Sequence, residues 1–376
     1  MRSFPLVLSF VVALATFACH DVDNFKPCAI GSIRVGGRCT PAPTCKSLAE
    51  VCGPTHDDSC CAVAEVPGGD FQPSIDAAGA NQEGTSIASN IDKTPFHTVV
   101  GTFYLERYEL SVGRFKKFLN NYDSWLRNNV RNGAARNPNL PERTSVKCGA
   151  VDVPTTGAWQ LEWIRYLPPS SAEFVRRIDK ECGVPNDPES KAASPGAYRA
   201  DPDASNDDRA MTCLNWFEAF AVCMYDGGRL PTEAEWNYAA AGGSQQRPFP
   251  WALGPDYPDA RSFRPGYAAV NTNAQITEPV GSFPTGIGVF GHYDMAGNAW
   301  EWVIDAPAAL DDYPEQPSNP VNLCGYRESI GATQRVLRGG SYEFGASSAR
   351  TSARIIVPDN FRYRDIGVRC ARPVAN

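Results

Sequence analysis

Sulfur constrains this chain more than any other feature. Its 376 residues include 13 cysteines in two groups of very different density. Cys28, Cys39, Cys45, Cys52, Cys60 and Cys61 crowd into one short stretch near the N-terminus. Cys148, Cys182, Cys213, Cys223, Cys324 and Cys370 are scattered through the remainder, and Cys19 stands apart. Without Cys19 the number is even, and no C-x-x-C pair occurs, so disulfides in an oxidising compartment are expected rather than a thiolate metal cluster. Residues 20–65 are too few to bury a sufficient apolar core and need such staples, which marks them as a small disulfide-rich module. The connectivity of its six cysteines stays open.

Cys19 has a separate explanation. Arg2 precedes an apolar run from Phe4 to Ala18, a length suited to a signal segment and short for a bilayer span. The run ends Ala15-Thr16-Phe17-Ala18 before Cys19, so residues 1–19 read as a signal peptide with a lipobox and Cys19 as the acylated residue. The expected location is the cell envelope, lipid-anchored at the outer membrane or in the periplasm, with simple secretion as the alternative. Membrane contact is then through the anchor alone. A net charge of −7 gives no basic surface for nucleic acid. Only four histidines occur, His20, His56, His97 and His292, far apart in sequence, which disfavours a histidine-built metal site or triad.

The texture changes near residue 66. With 32 Gly and 31 Pro, a loop-rich α+β domain over 66–376 is expected rather than a helical bundle. Phe96 to Leu105 reads as a strand pair. Ser111 is placed to cap a helix that carries Val112, Phe115 and Leu119 on one face. The polar, Pro/Asn/Asp-rich segment from about 128 to 209 reads as a loop insertion pinned by disulfides. Asn215 can cap a second helix bearing Trp216, Phe220 and Cys223, which Gly227-Gly228 stops. Thr232 and Glu235 then form a T-x-x-E capping box for a third.

Five strings occur in one order: GGRLPTEAEWNYAA (227–240), Phe249-Pro250-Trp251, GHYDMAGNAWEW (291–302), RVLRGGSY (335–342) and GVRCA (367–371). Together they resemble the formylglycine-generating enzyme, or sulfatase-modifying factor, family over about 66–376. The resemblance implies an irregular, elaborated C-type-lectin-like fold. It also implies an oxidase in which two cysteines shortly after the GGS[YW] motif hold copper. Counting from Gly339-Gly340-Ser341-Tyr342, those positions carry Phe344 and approximately Ala349. No cysteine lies between Cys324 and Cys370, so slippage of the alignment does not restore the pair. A soft cuprous ion needs thiolate ligands, and copper is therefore not expected.

Other inferences come from the same resemblance. Cys223 and Cys370 match a pair bridged in the family, leaving Cys148, Cys182, Cys213 and Cys324 with their pairing open. Asp294, Gly297, Ala299 and Glu301 match the ligands of a structural calcium; two carboxylates and two carbonyls suit a hard cation. The alternative is that Asp294 and Asn298 hold turns while Glu301 pairs with an arginine. A second calcium near 260–275 is disfavoured by Arg261-Ser262. Trp300 and Ser341, with Tyr342 beside them, match a substrate groove suited to a peptide or glycan. The arginines Arg338, Arg350, Arg354, Arg362, Arg364 and Arg369 are expected chiefly to pair with acids such as Glu233 and Glu235. The resulting expectation is a membrane-tethered, catalytically silent binding or scaffold domain for a peptide, protein or glycan ligand. The rival is a formylglycine-generating oxidoreductase, or a related enzyme acting on an exported protein, with His292 the one candidate base in the core.

Overall fold

A computed structural model describes residues 32–35, 38–72, 98–130, 145–148, 151–154, 161–182, 206–252, 263–272, 276–307 and 333–373. Cys19, Cys28, Cys324 and the Arg261-Ser262 element fall outside these residues. Of Cys39 and Cys148 the backbone alone is described.

The architecture is mixed and irregular. The strands are β1 (Ser32–Val35), β2 (Arg38–Pro41), β3 (Val63–Val66), β4 (Gly69–Phe71), β5 (Thr98–Val100) and β6 (Phe103–Glu106). After helix α1 (Val112–Trp125) come β7 (Ser145–Cys148), β8 (Val151–Pro154) and helices α2 (Ser171–Cys182), α3 (Trp216–Tyr225) and α4 (Glu233–Ala240). The chain closes with β9 (Trp300–Trp302), β10 (Gln334–Arg338), β11 (Arg354–Pro358), β12 (Ile366–Gly367) and β13 (Ala371–Pro373). One sheet has the order β11-β10-β9-β12 and a second has β13-β6-β3; the remaining strands form the hairpins β1-β2, β4-β5 and β7-β8.

The helices begin where their caps dictate. The Ser111 side chain accepts the Arg114 N–H, and Val112, Phe115 and Leu119 are buried. Asn215 and Glu218 form a reciprocal capping box on α3, as Thr232 and Glu235 do on α4. α3 is apolar on nearly every side and is buried accordingly, as a helix without a polar face must be. Around it Trp216, Trp300 and Trp302 join the rings of Phe115, Phe118 and Tyr122 in one continuous core.

Three sequence expectations change. Residues 98–106 are two strands but not a pair: β5 joins β4, while β6 lies between β3 and β13. A two-residue connection could close a hairpin, so pairing with the distant β4, β3 and β13 is a tertiary choice that the local sequence does not show. Within the insertion, α2 is a true helix that buries Phe174, Ile178 and Cys182; Phe174 packs edge-on against Phe115 and Tyr122 of α1. Its contribution to the core was hidden by the polar residues on its outer face. Finally, the cysteine-rich stretch does not stand apart from the main domain. β3 crosses the expected boundary at residue 65 to pair with β6. The Thr44 N–H and hydroxyl both donate to Asp226, inside a buried network in which Arg114 bridges Glu106 and Asp226 at 2.7 and 2.8 Å.

Four disulfides are described: Cys45–Cys61, Cys52–Cys60, Cys182–Cys213 and Cys223–Cys370. The first two staple the N-terminal module. The third fastens α2 to the segment before α3. The last closes a loop of 147 residues, which in the chain-entropy account stabilises by about 4–5 kcal/mol.

Candidate functional site

The residues with chemical potential gather where the turn 294–299 enters β9. Asp294, Gly297 and Asn298 all take positive φ, at 55°, 78° and 62°. A side chain at 297 would collide with the Ala269 carbonyl, so this turn requires glycine. The Gly297 N–H donates to Gly339 O at 2.8 Å and the Asn298 N–H to Ala269 O at 2.9 Å. Asp294 accepts the Gly281 N–H at 2.6 Å. Glu109, which no local sequence signal marked, accepts from Asn298 Nδ2 at 2.6 Å and from the Ala299 N–H at 3.0 Å.

Glu109, Asp294 and Glu301 are buried around one guanidinium. Arg369 donates to both carboxylate oxygens of Glu301 at 2.7–2.9 Å, and to the carbonyls of Glu106, Arg107 and Tyr293. Trp236 Nε1 reaches Glu301 as well, at 2.7 Å. Burial pushes the Asp294 carboxyl up to about 6 and holds Glu109 well above its usual range, with the neighbouring acids adding to both. The oxygen-only set suits a hard cation in kind. Both oxygens of Glu301 are engaged by Arg369, and one also by Trp236, so the set leaves little of Glu301 free for an ion. Among the described residues, no group of three or more His, Cys, Asp or Glu side chains is arranged to hold a metal.

The positions that the resemblance assigns to copper ligands are Phe344 and approximately Ala349. The Phe344 ring stands edge-on to Trp300, centroids 5.8 Å apart. Ala349 is fully buried in a cluster with Phe249, Ala252, Ala268 and Ala296. The residues present do not fit a cuprous ion. Nor do the residues expected to line a groove stand open: Trp300, Ser341 and Tyr342 are 0%, 0% and 1% exposed. Ser341 Oγ donates to Asp365 Oδ2, and the Tyr342 hydroxyl donates to Arg364 O. His292 is buried too, and burial with the nearby Arg369 charge lowers it to about 3, so it stays neutral within the core.

The arginines are mostly structural. Arg338 and Arg354 pair with Glu233 at 2.5 and 3.0 Å, Arg229 with Glu235 at 2.6 Å, and Arg362 with Glu218 and Glu181. Arg364 pairs with Glu343, while Arg350 lies over the Phe249 ring. Removing one partner of such a buried pair typically costs about 3–5 kcal/mol, because a charge is left stranded.

Asp365 offers a measurable signature. Burial raises its carboxyl from 3.8 to about 7. The folded state therefore keeps a proton that the unfolded chain releases, and this group's contribution to stability falls as pH rises from about 4 through 7. His292 acts in the opposite sense, since the unfolded imidazole takes up a proton that the folded one refuses, but it does so equally in any Asp365 variant. Urea unfolding at pH 5 and pH 8 is expected to show that Asp365→Asn loses less stability, or gains more, than the wild type over this interval. Equal changes in the two proteins would remove the assignment.

Comparison with known proteins gives the family. The chain is 27% identical over 317 residues to the formylglycine-generating enzyme of Bos taurus, covering 81% of this chain and 73% of that protein. It is 30% identical over 174 residues to the inactive C-alpha-formylglycine-generating enzyme 2 of Bos taurus, covering 42% and 48%. Among solved structures it is similar to PvdO from Pseudomonas aeruginosa, with 17% identity, a TM-score of 0.48, and coverage of 83% and 94%. The family model described as the sulfatase-modifying factor enzyme 1-like domain matches residues 49–374, and the chain belongs to that family.

Proposed function

We propose that this chain is an exported, lipid-tethered and catalytically silent member of the family, serving as a binding or scaffold domain for a peptide, protein or glycan. One observation carries this reading: Phe344 and, approximately, Ala349 stand where the resemblance puts copper thiolates, and both are packed into apolar surroundings. The chemistry requires sulfur at both positions. His292, the candidate base of any alternative mechanism, is enclosed and neutral. A relative named as inactive suits the same reading. The decisive assay incubates the purified mature protein with copper, oxygen and a cysteine-containing sulfatase-motif peptide. No formylglycine is expected, and copper-dependent formation of the aldehyde would establish the rival enzymatic reading.

We propose calcium as a structural ion at Asp294 and the carbonyls of Gly297 and Ala299, with Glu301 contributing as far as Arg369 leaves it free. The surplus of carboxylates over guanidinium in this cluster supports it. Calcium at a hundredfold excess over its dissociation constant would add about 2.7 kcal/mol to stability. A lower Tm in chelator than in calcium is therefore expected, and an unchanged Tm retires the site.

The tether is read from Cys19 and the apolar run before it. Intact-mass measurement of the envelope-extracted protein is expected to give a chain beginning at Cys19 with the added mass of acyl groups. An unmodified N-terminus would leave secretion.

A further inference from the structure

Among the four described disulfides, Cys45 is the one half-buried member; the other seven cysteines are at most 6% exposed. A thiol opens a disulfide by reaching one of its sulfurs, so access decides where reduction begins. Cys45–Cys61 is therefore the bond of the four that a small dithiol meets first, while both ends of Cys223–Cys370 are fully enclosed. The two ends of Cys45–Cys61 are held very differently. Cys61 leads into β3, and the Ala62 carbonyl accepts the Arg107 N–H at 2.8 Å where β3 joins β6. Cys45 belongs to a strap, residues 42–51, that contains one short 3-10 turn and no strand.

The strap covers buried charge. Thr44 gives both its N–H and its hydroxyl to Asp226, and its oxygen accepts from Arg114 Nε at 3.2 Å. Thr44, Arg114, Asp226 and Glu106 are all fully buried. Further along, Lys117 Nζ donates to the carbonyls of Lys46 and Ser47 at 3.4 and 3.2 Å, exposed contacts that water can replace. The cross-link ties this strap back to the fixed base at β3. Closing a loop of sequence separation 16 favours the ordered strap by about a hundredfold in the chain-entropy account. Cys52–Cys60 is no substitute, because it closes only the loop beyond the strap. That loop has its own fastenings: the Gly53 N–H donates to Val280 O at 3.1 Å, and Asp58 accepts from Arg107 and Tyr108.

We propose that Cys45–Cys61 is a thiol-sensitive fastener: a dithiol reductant opens it first and frees residues 42–51 from the Arg114–Asp226 network, while the main domain stays folded. The first thiolate of the reductant attacks the Cys45 sulfur and displaces the Cys61 thiolate. Its second displaces Cys45 from the mixed disulfide, so two electrons and two protons pass to the protein and the reductant leaves as a cyclic disulfide. Neither the calcium site nor the catalytic silence of the chain enters this reading, and the test is run in chelator to keep them apart. The purified protein is titrated with dithiothreitol without denaturant, trapped with iodoacetamide and mapped by mass spectrometry, with amide exchange followed in parallel. Of the four described disulfides, Cys45–Cys61 is expected to be alkylated at the lowest dithiol concentration. Exchange at Thr44 and Cys45 should then rise by at least about tenfold, with β3, β6 and the Cys52–Asp58 loop unchanged. The double variant Cys45→Ser/Cys61→Ser should fold and show the same fast exchange with no reductant. Earlier opening of Cys182–Cys213 or Cys223–Cys370, continued protection of Thr44 after Cys45 is alkylated, simultaneous loss of protection in β3 and β6, or failure of the double variant to fold would each overturn the proposal.

Discussion

Arg369 and Glu301 form the contact on which the rest of the domain turns. Both side chains are fully buried, and the guanidinium also binds the carbonyls that end β6 and the one at Tyr293. One residue later, Cys370 is bonded to Cys223 of α3, and its N–H donates to Glu106. Four separate parts of the sequence are thereby held to the segment just before β13: the end of β6, α3, Tyr293 at the entry to the 294–299 turn, and β9. In a fold with short sheets and long connections, ladder hydrogen bonds are too few to fix the loops. Charged groups inside the protein take over that work.

The same logic explains why so many arginines are buried at no apparent functional gain. Arg114, Arg229, Arg338, Arg362 and Arg369 are all almost fully enclosed, and each faces one or more carboxylates at hydrogen-bond distance. A guanidinium satisfies several acceptors at fixed angles, which a lysine cannot do. The net gain of such pairs over apolar packing is small, but they penalise wrong arrangements heavily. Around β9 the balance tips toward acid, with Glu109, Asp294 and Glu301 near Arg369, and burial, reinforced by neighbouring acids, raises the carboxyls of Glu109 and Asp294.

At the positions that the resemblance assigns to the copper thiolates, Phe344 packs edge-on against Trp300, and Ala349, near the second, lies in an apolar cluster. Trp300, Ser341 and Tyr342, which the resemblance placed in a groove, are interior. Among the described residues, Phe361 and Tyr363 are the exposed aromatic side chains of the stretch beyond β11.

Sequence alone determined the helix starts, because Ser111, Asn215 and Thr232 act on backbone groups two or three residues away. It also determined the family, the absence of a cysteine pair after Tyr342, and the presence of disulfides in the N-terminal module. All of these are local, or follow from order along the chain. Only the tertiary structure decided that α2 completes the core, that Cys182 joins Cys213, and that Glu109 meets Asp294. It alone showed Glu301 engaged by Arg369 and Trp236. Those facts depend on which distant segments touch, and burial, charge pairing and side-chain exposure are properties of that contact rather than of any stretch of sequence.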